Sequence, residues 1–163
     1  MSISFNADEI LEIAQRIEQN GLNFYKAAAN AVTDPKAKEM LSNLAEWEVG
    51  HEKLFRDMRK GLTDSQRQPM VFDPHNEMGL YLKAMASQVV FTSKMDPVKT
   101  IGDKPSFKKI LDIALEREKD SVVFYAGMKK FVPASLGTDK IEMILLEEVS
   151  HVAMITQRLS EIK

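Results

Sequence analysis

No cysteine occurs among the 163 residues of this chain. That excludes disulfides, thiolate-ligated zinc, iron–sulfur clusters and a thiol nucleophile, and it fits a reducing compartment. Neither sign of charge dominates. Lys and Arg number 22 against 24 Asp and Glu, a formal net charge of −2. There is thus no basic footprint for nucleic acid and no polybasic patch for a lipid surface. No apolar stretch approaches the roughly 20 residues that cross a bilayer. The opening MSISFNADEILEIAQ also lacks a basic segment followed by an apolar run, the pattern of a signal peptide. The expectation is a cytoplasmic protein with no nucleic-acid and no membrane partner.

What is present is ordinary in bulk and unusual in pattern. With 44% hydrophobic and 28% charged residues, a chain of this length can bury a core as one domain, 1–163. Helical periodicity predicts four long segments. The first runs from about Ala7 to Ala31, with Asn6 and Glu9 at capping-box spacing. The second opens at Asp34-Pro35, an acidic cap followed by a proline at the first helical position, and stops near Gly61. The third begins near Pro105-Ser106 and ends by Pro133; the fourth runs from near Thr138 to the end. Short links join one to two and three to four, which makes two antiparallel hairpins, 7–60 and 105–163. Between them, residues 61–104 carry several prolines and a shorter helical pattern, Glu77 to Lys94. This stretch is long enough to cross the length of a bundle. The expected fold is an all-α four-helix bundle with a long crossover.

The two hairpins repeat each other at an offset of one hundred. Glu18, Tyr25, Glu48 and His51 return as Glu118, Tyr125, Glu148 and His151, and Ile10, Leu11, Ile13, Ala14 and Phe24 return as Ile110, Leu111, Ile113, Ala114 and Phe124. Seven residues turn a helix to within about 20° of two full turns, so each Glu shares a face with its Tyr. Residues three apart in Glu-x-x-His converge on one point. The neighbours Ile17, Phe24, Leu44, Leu115, Val122 and Ile144 are apolar. Four carboxylates in such a core repel one another and are costly to bury. Two divalent cations balance their charge. Glu18, Glu48, His51, Glu118, Glu148 and His151 are therefore the candidate metal ligands: Glu18 and Glu118 terminal, Glu48 and Glu148 bridging, one His per ion. Carboxylate and imidazole without thiolate suit iron or manganese, and zinc is compatible. The bland alternative is a set of solvated helix charges, which the repeat and the apolar surroundings disfavour.

Other residues read more than one way. Tyr25 and Tyr125 are candidate catalytic residues beside the dimetal centre, hydrogen bonding a ligand Glu or passing an electron; equally they are core aromatics. Gly21 (matched by Ser121) and Gly50 (matched by Ser150) suggest either clearance near the metals or close helix approach, the second being the simpler expectation. Trp47 and the ten Met read as packing. His75 reads as an exposed loop residue.

The motifs E-x-x-G-x-x-F-Y (Glu18 to Tyr25), E-x-x-H (Glu48 to His51), E-x-x-S-x-x-F-Y (Glu118 to Tyr125) and E-x-x-H (Glu148 to His151) resemble the rubrerythrin branch of the ferritin-like superfamily. The resemblance covers roughly residues 8–60 and 108–160. It implies a ferritin-like bundle, two iron ions, and reduction of hydrogen peroxide or oxidation of ferrous iron with dioxygen. It also implies a homodimer. Two departures stand out. The rubredoxin domain with its four Cys ligands is missing, so electrons are expected from a separate donor protein or from ferrous iron itself. The further carboxylate that rubrerythrins place three residues from the first Glu of the third helix falls on Leu115 or Ser121, which leaves a six-ligand site. Two other functions stay open at this level: iron binding or storage, and a non-catalytic bundle clipped by metal.

Overall fold

The computed structural model describes residues 6–68, 80, 81, 84, 97–130, 132 and 134–162. Four long helices carry the architecture: α1 (Ala7–Ala31), α2 (Pro35–Lys60), α4 (Phe107–Met128) and α5 (Thr138–Glu161), with a one-turn α3 (Pro97–Ile101) before the second hairpin. Short 3-10 turns occupy Ser65–Arg67 and Ala134–Leu136. Local chemistry sets these boundaries. Asn6 and Glu9 exchange the two hydrogen bonds of a capping box. Asp34 accepts from the backbone N–H of Ala37 at 2.8 Å ahead of Pro35, and Ser106 accepts from Lys109 at 3.2 Å. α5 is preceded by Gly137 at φ 87°, a left-handed conformation that favours glycine. α4 stops at Met128, a turn earlier than the proline suggests; Pro133 lies outside the described residues.

α1 packs chiefly on α2, and α4 on α5, as the short links predict. Two apolar clusters fill the bundle. One gathers Ile10, Leu11, Ala14, Phe55, Met58, Phe124, Tyr125 and Ile144 around the start of α1. The other gathers Phe24, Tyr25, Ala28, Leu41, Leu44, Ile110, Leu111 and Ile155 around its end. Each fully buried Phe or Leu contributes about 1.5–3 kcal/mol of transfer free energy. The six acidic and histidine candidates fall between these clusters along each of the four helices.

The crossover leaves at the first cluster and returns at the second. At the departing end, Arg59 of α2 binds Asp8 of α1 through two hydrogen bonds of 3.0 Å and reaches Glu12 at 2.8 Å. At the returning end, buried Ile101 joins the second cluster, and Lys109 donates to its carbonyl at 3.1 Å. In between, Leu80, Tyr81 and Ala84 are helical, while most of the expected helix Glu77 to Lys94, and His75, lie outside the described residues. Tyr81 lies over Gly127 of α4, where an added Cβ would meet its hydroxyl at 2.5 Å, and donates to the Val123 carbonyl at 2.7 Å. The crossover is thereby seated on the second hairpin.

Candidate metal centre

Glu18, Glu48, His51, Glu118, Glu148 and His151 are all buried, and they are the only buried Asp, Glu, His, Lys or Arg side chains among the described residues. Two groups form. Glu18, Glu48, His51 and Glu148 bring donor atoms within 4.8 Å of one another, and so do Glu118, Glu148 and His151. Glu148 belongs to both groups. Repeat symmetry expects the same of Glu48, which here belongs to the first alone.

Both imidazoles turn Nδ1 inward. His51 Nδ1 lies 2.9 Å from Glu148 Oε1 and 3.5 Å from Glu18 Oε2. His151 Nδ1 lies 3.4 Å from both Glu118 Oε2 and Glu148 Oε2. Yet His51 Nδ1, His151 Nδ1, Glu118 Oε2 and Glu148 Oε1 have no hydrogen-bond partner. They approach one another without hydrogen-bonding alignment. Buried polar atoms are rarely left so. Donor atoms crowded around common points and aligned with none of their neighbours are what a pair of cations would satisfy.

The two tyrosines are fully buried and cross between hairpins. Tyr25 donates to Glu118 Oε1, and Tyr125 donates to Glu18 Oε1. Glu118 and Glu18 thus each have one oxygen held by a phenol and the other facing a histidine. The phenols sit at opposite ends of the site, one in each apolar cluster. Burial and the nearby carboxylates push both phenols well above their ordinary range.

Ionisation in the metal-free protein reflects the crowding. Burial and then the Glu18 carboxylate push Glu48 well above the ordinary range. Burial and Glu148 push Glu118 up to about 7. Burial alone would raise Glu148 as well, but Glu118, His151 and His51 outweigh it and hold Glu148 below the ordinary value. Burial would lower both histidines, yet Glu148 and Glu18 carry His51 to about 11, and Glu118 and Glu148 carry His151 to about 9. Protons held on these groups offset part of the crowded negative charge.

Three features go beyond the sequence reading. Gly21 clears space for a carboxylate: a Cβ there would lie 2.5 Å from Glu48 Oε1, whereas nothing comes within 4 Å of a Cβ at Gly50. The simpler expectation, close helix approach, holds at neither position. Trp47 is more than packing. Its indole stacks on the His151 ring at 4.8 Å and 14° while remaining 42% exposed. Glu147 holds the outward nitrogen of His51, with Nε2 and Oε2 2.7 Å apart. Positions 47 and 147 are repeat equivalents, so each reaches the histidine of the other hairpin; that shared register was the available signal. Leu115 packs against the second apolar cluster, and exposed Glu116 pairs with Lys119. Arg117 adds a cation nearby, its guanidinium 4.7 Å above the Phe24 ring.

An all-helical bundle of two hairpins around a mid-bundle carboxylate–imidazole cluster defines the ferritin-like class. A solved structure agrees on the fold: a candidate ferritin-like diiron-carboxylate protein of Thermotoga maritima matches with a TM-score of 0.70 at 21% identity, over 99% of each chain. The family model described as Rubrerythrin matches residues 9–159. The chain belongs to the rubrerythrin family. No curated protein matches it.

Proposed function

We propose that this chain is a non-haem di-iron oxidoreductase, reducing hydrogen peroxide or oxidising ferrous iron with dioxygen. The observation that carries this reading is the set of four buried carboxylates and two inward Nδ1 atoms, several without any hydrogen-bond partner. Family membership and the fold support it.

Glu18, Glu48, His51 and Glu148 would hold one ion and Glu118, Glu148 and His151 the other, with Glu148 shared between them. Oxygen and imidazole donors without thiolate suit iron, and manganese or zinc fits the same set. When bound, a pair of iron ions supplies the two electrons that a peroxide O–O bond takes up on cleavage. The protein's own residues do the rest. Tyr25 and Tyr125 fix the orientation of Glu118 and Glu18, and each hydroxyl holds a proton within reach of the site. The apolar clusters on both sides exclude bulk water. Electrons would come from a separate donor protein or from ferrous iron. We take both hairpins and the crossover to work as one ferritin-like domain, paired as a homodimer.

Protein loaded anaerobically with ferrous iron should consume added hydrogen peroxide, and Glu48→Ala or His151→Ala should abolish this. Unchanged turnover in both variants would overturn the reading.

A further inference from the structure

We propose that the two metal positions are inequivalent and fill in order, the Glu18–His51 position first, with Glu147 as the positioning residue that sets the order. The inference rests on the dimetal reading above and goes beyond it.

Around Glu18, Glu118 and the two tyrosines the hairpins are close copies, so the inequivalence comes from elsewhere. Three observations point the same way. Donor number differs: four side chains converge on the His51 side, Glu18, Glu48, His51 and Glu148, but three on the His151 side. The support of Glu48 differs too. Gly21 leaves room for its carboxylate beside α1, whereas the repeat equivalent of Gly21 is Ser121.

The histidines themselves are held differently. The Glu147 carboxylate can accept from His51 Nε2–H at 2.7 Å. A proton fixed on Nε2 leaves the Nδ1 lone pair free to bind a cation, and a carboxylate partner makes the imidazole a stronger donor. At the equivalent position the chain carries Trp47, which stacks on His151. Stacking fixes the plane of the ring. An indole has only an N–H to give, however, and cannot accept a proton from the imidazole. One histidine is thus both oriented and made more basic, and the other is only oriented.

Calorimetric titration of the metal-free full chain with Zn²⁺ tests the order without turnover. Two resolved steps are expected, the tighter first. Glu147→Ala should weaken the tight step by about 10–100-fold and leave the weaker one in place. Glu147→Gln, whose amide oxygen still accepts from Nε2–H, should recover most of that loss. His151→Ala should remove the weak step alone. The Glu147 side chain is 47% exposed, so its variants should melt like the parent when metal-free. Trp47→Glu gives an independent arm, because it should draw the second step towards the first. Binding of two ions in one unresolved step, or equal weakening of both steps by Glu147→Ala, would overturn the inference alone. Absence of any Zn²⁺ uptake would overturn the dimetal reading with it.

Discussion

Hairpin one and hairpin two obey the same sequence plan and differ where they meet. Both present a Glu, a Tyr seven residues on, and a Glu-x-x-His, and the tyrosine of each holds the first of these Glu carboxylates in the other. At the site itself the copies part at 47 against 147 and at 21 against 121. One histidine is gripped by a carboxylate and the other is covered by an indole. One inner carboxylate belongs to both donor groups and the other to one. The repeat therefore builds the site, and departures from the repeat give its halves different characters.

The comparison breaks most visibly at the inner carboxylates. Glu148→Ala should cost both positions their shared donor and reduce bound metal from two equivalents per chain to less than one. Glu48→Ala should weaken the Glu18–His51 position and leave the other occupied. Metal-to-protein ratios after gel filtration check this, and equal losses in the two variants would restore symmetry to the pair.

A second test uses pH. Glu118, His51 and His151 all have folded-state values raised above ordinary, to about 7, about 11 and about 9. A raised group stabilises fully below its unfolded value, 4.5 for Glu or 6.5 for His. That contribution is lost as pH climbs through the folded value. Metal-free protein should therefore melt progressively lower from about pH 5 to about pH 11. Metal must displace these protons, so stabilisation by Zn²⁺ should grow over the same range. Melting curves with and without Zn²⁺ decide it; a flat metal-free profile would contradict the crowding described here.

The smallest effects come from the glycines. Gly50→Ala meets open space and should stabilise the helix by up to about 0.8–1.0 kcal/mol without altering metal binding. Gly21→Ala gains the same propensity but displaces the Glu48 carboxylate, so its metal-induced rise in melting temperature should shrink. Identical behaviour of the two variants would remove Gly21 from the site.

Much of this was legible in the sequence because it is local. Asn6, Asp34, Pro35 and Ser106 mark their own helix starts through backbone hydrogen bonds within one turn. Spacings of three and seven place Glu, His and Tyr on common faces whatever the helices pack against. The rest depends on how the hairpins cross. That Glu147 meets His51, or that Gly21 faces Glu48, follows from contacts between helices that no spacing within one helix encodes. Trp47 was hidden for a similar reason: an indole reads as packing until the ring it stacks on is known to be His151.

The central claim is that the six buried residues exist to hold two metal ions. Metal-free protein titrated anaerobically with ferrous iron and followed by melting temperature and metal content tests it most directly. Two equivalents should bind per chain, with a marked rise in melting temperature that Glu148→Ala removes. Retention of no more than trace iron, with melting unchanged in wild type and variant alike, would contradict it.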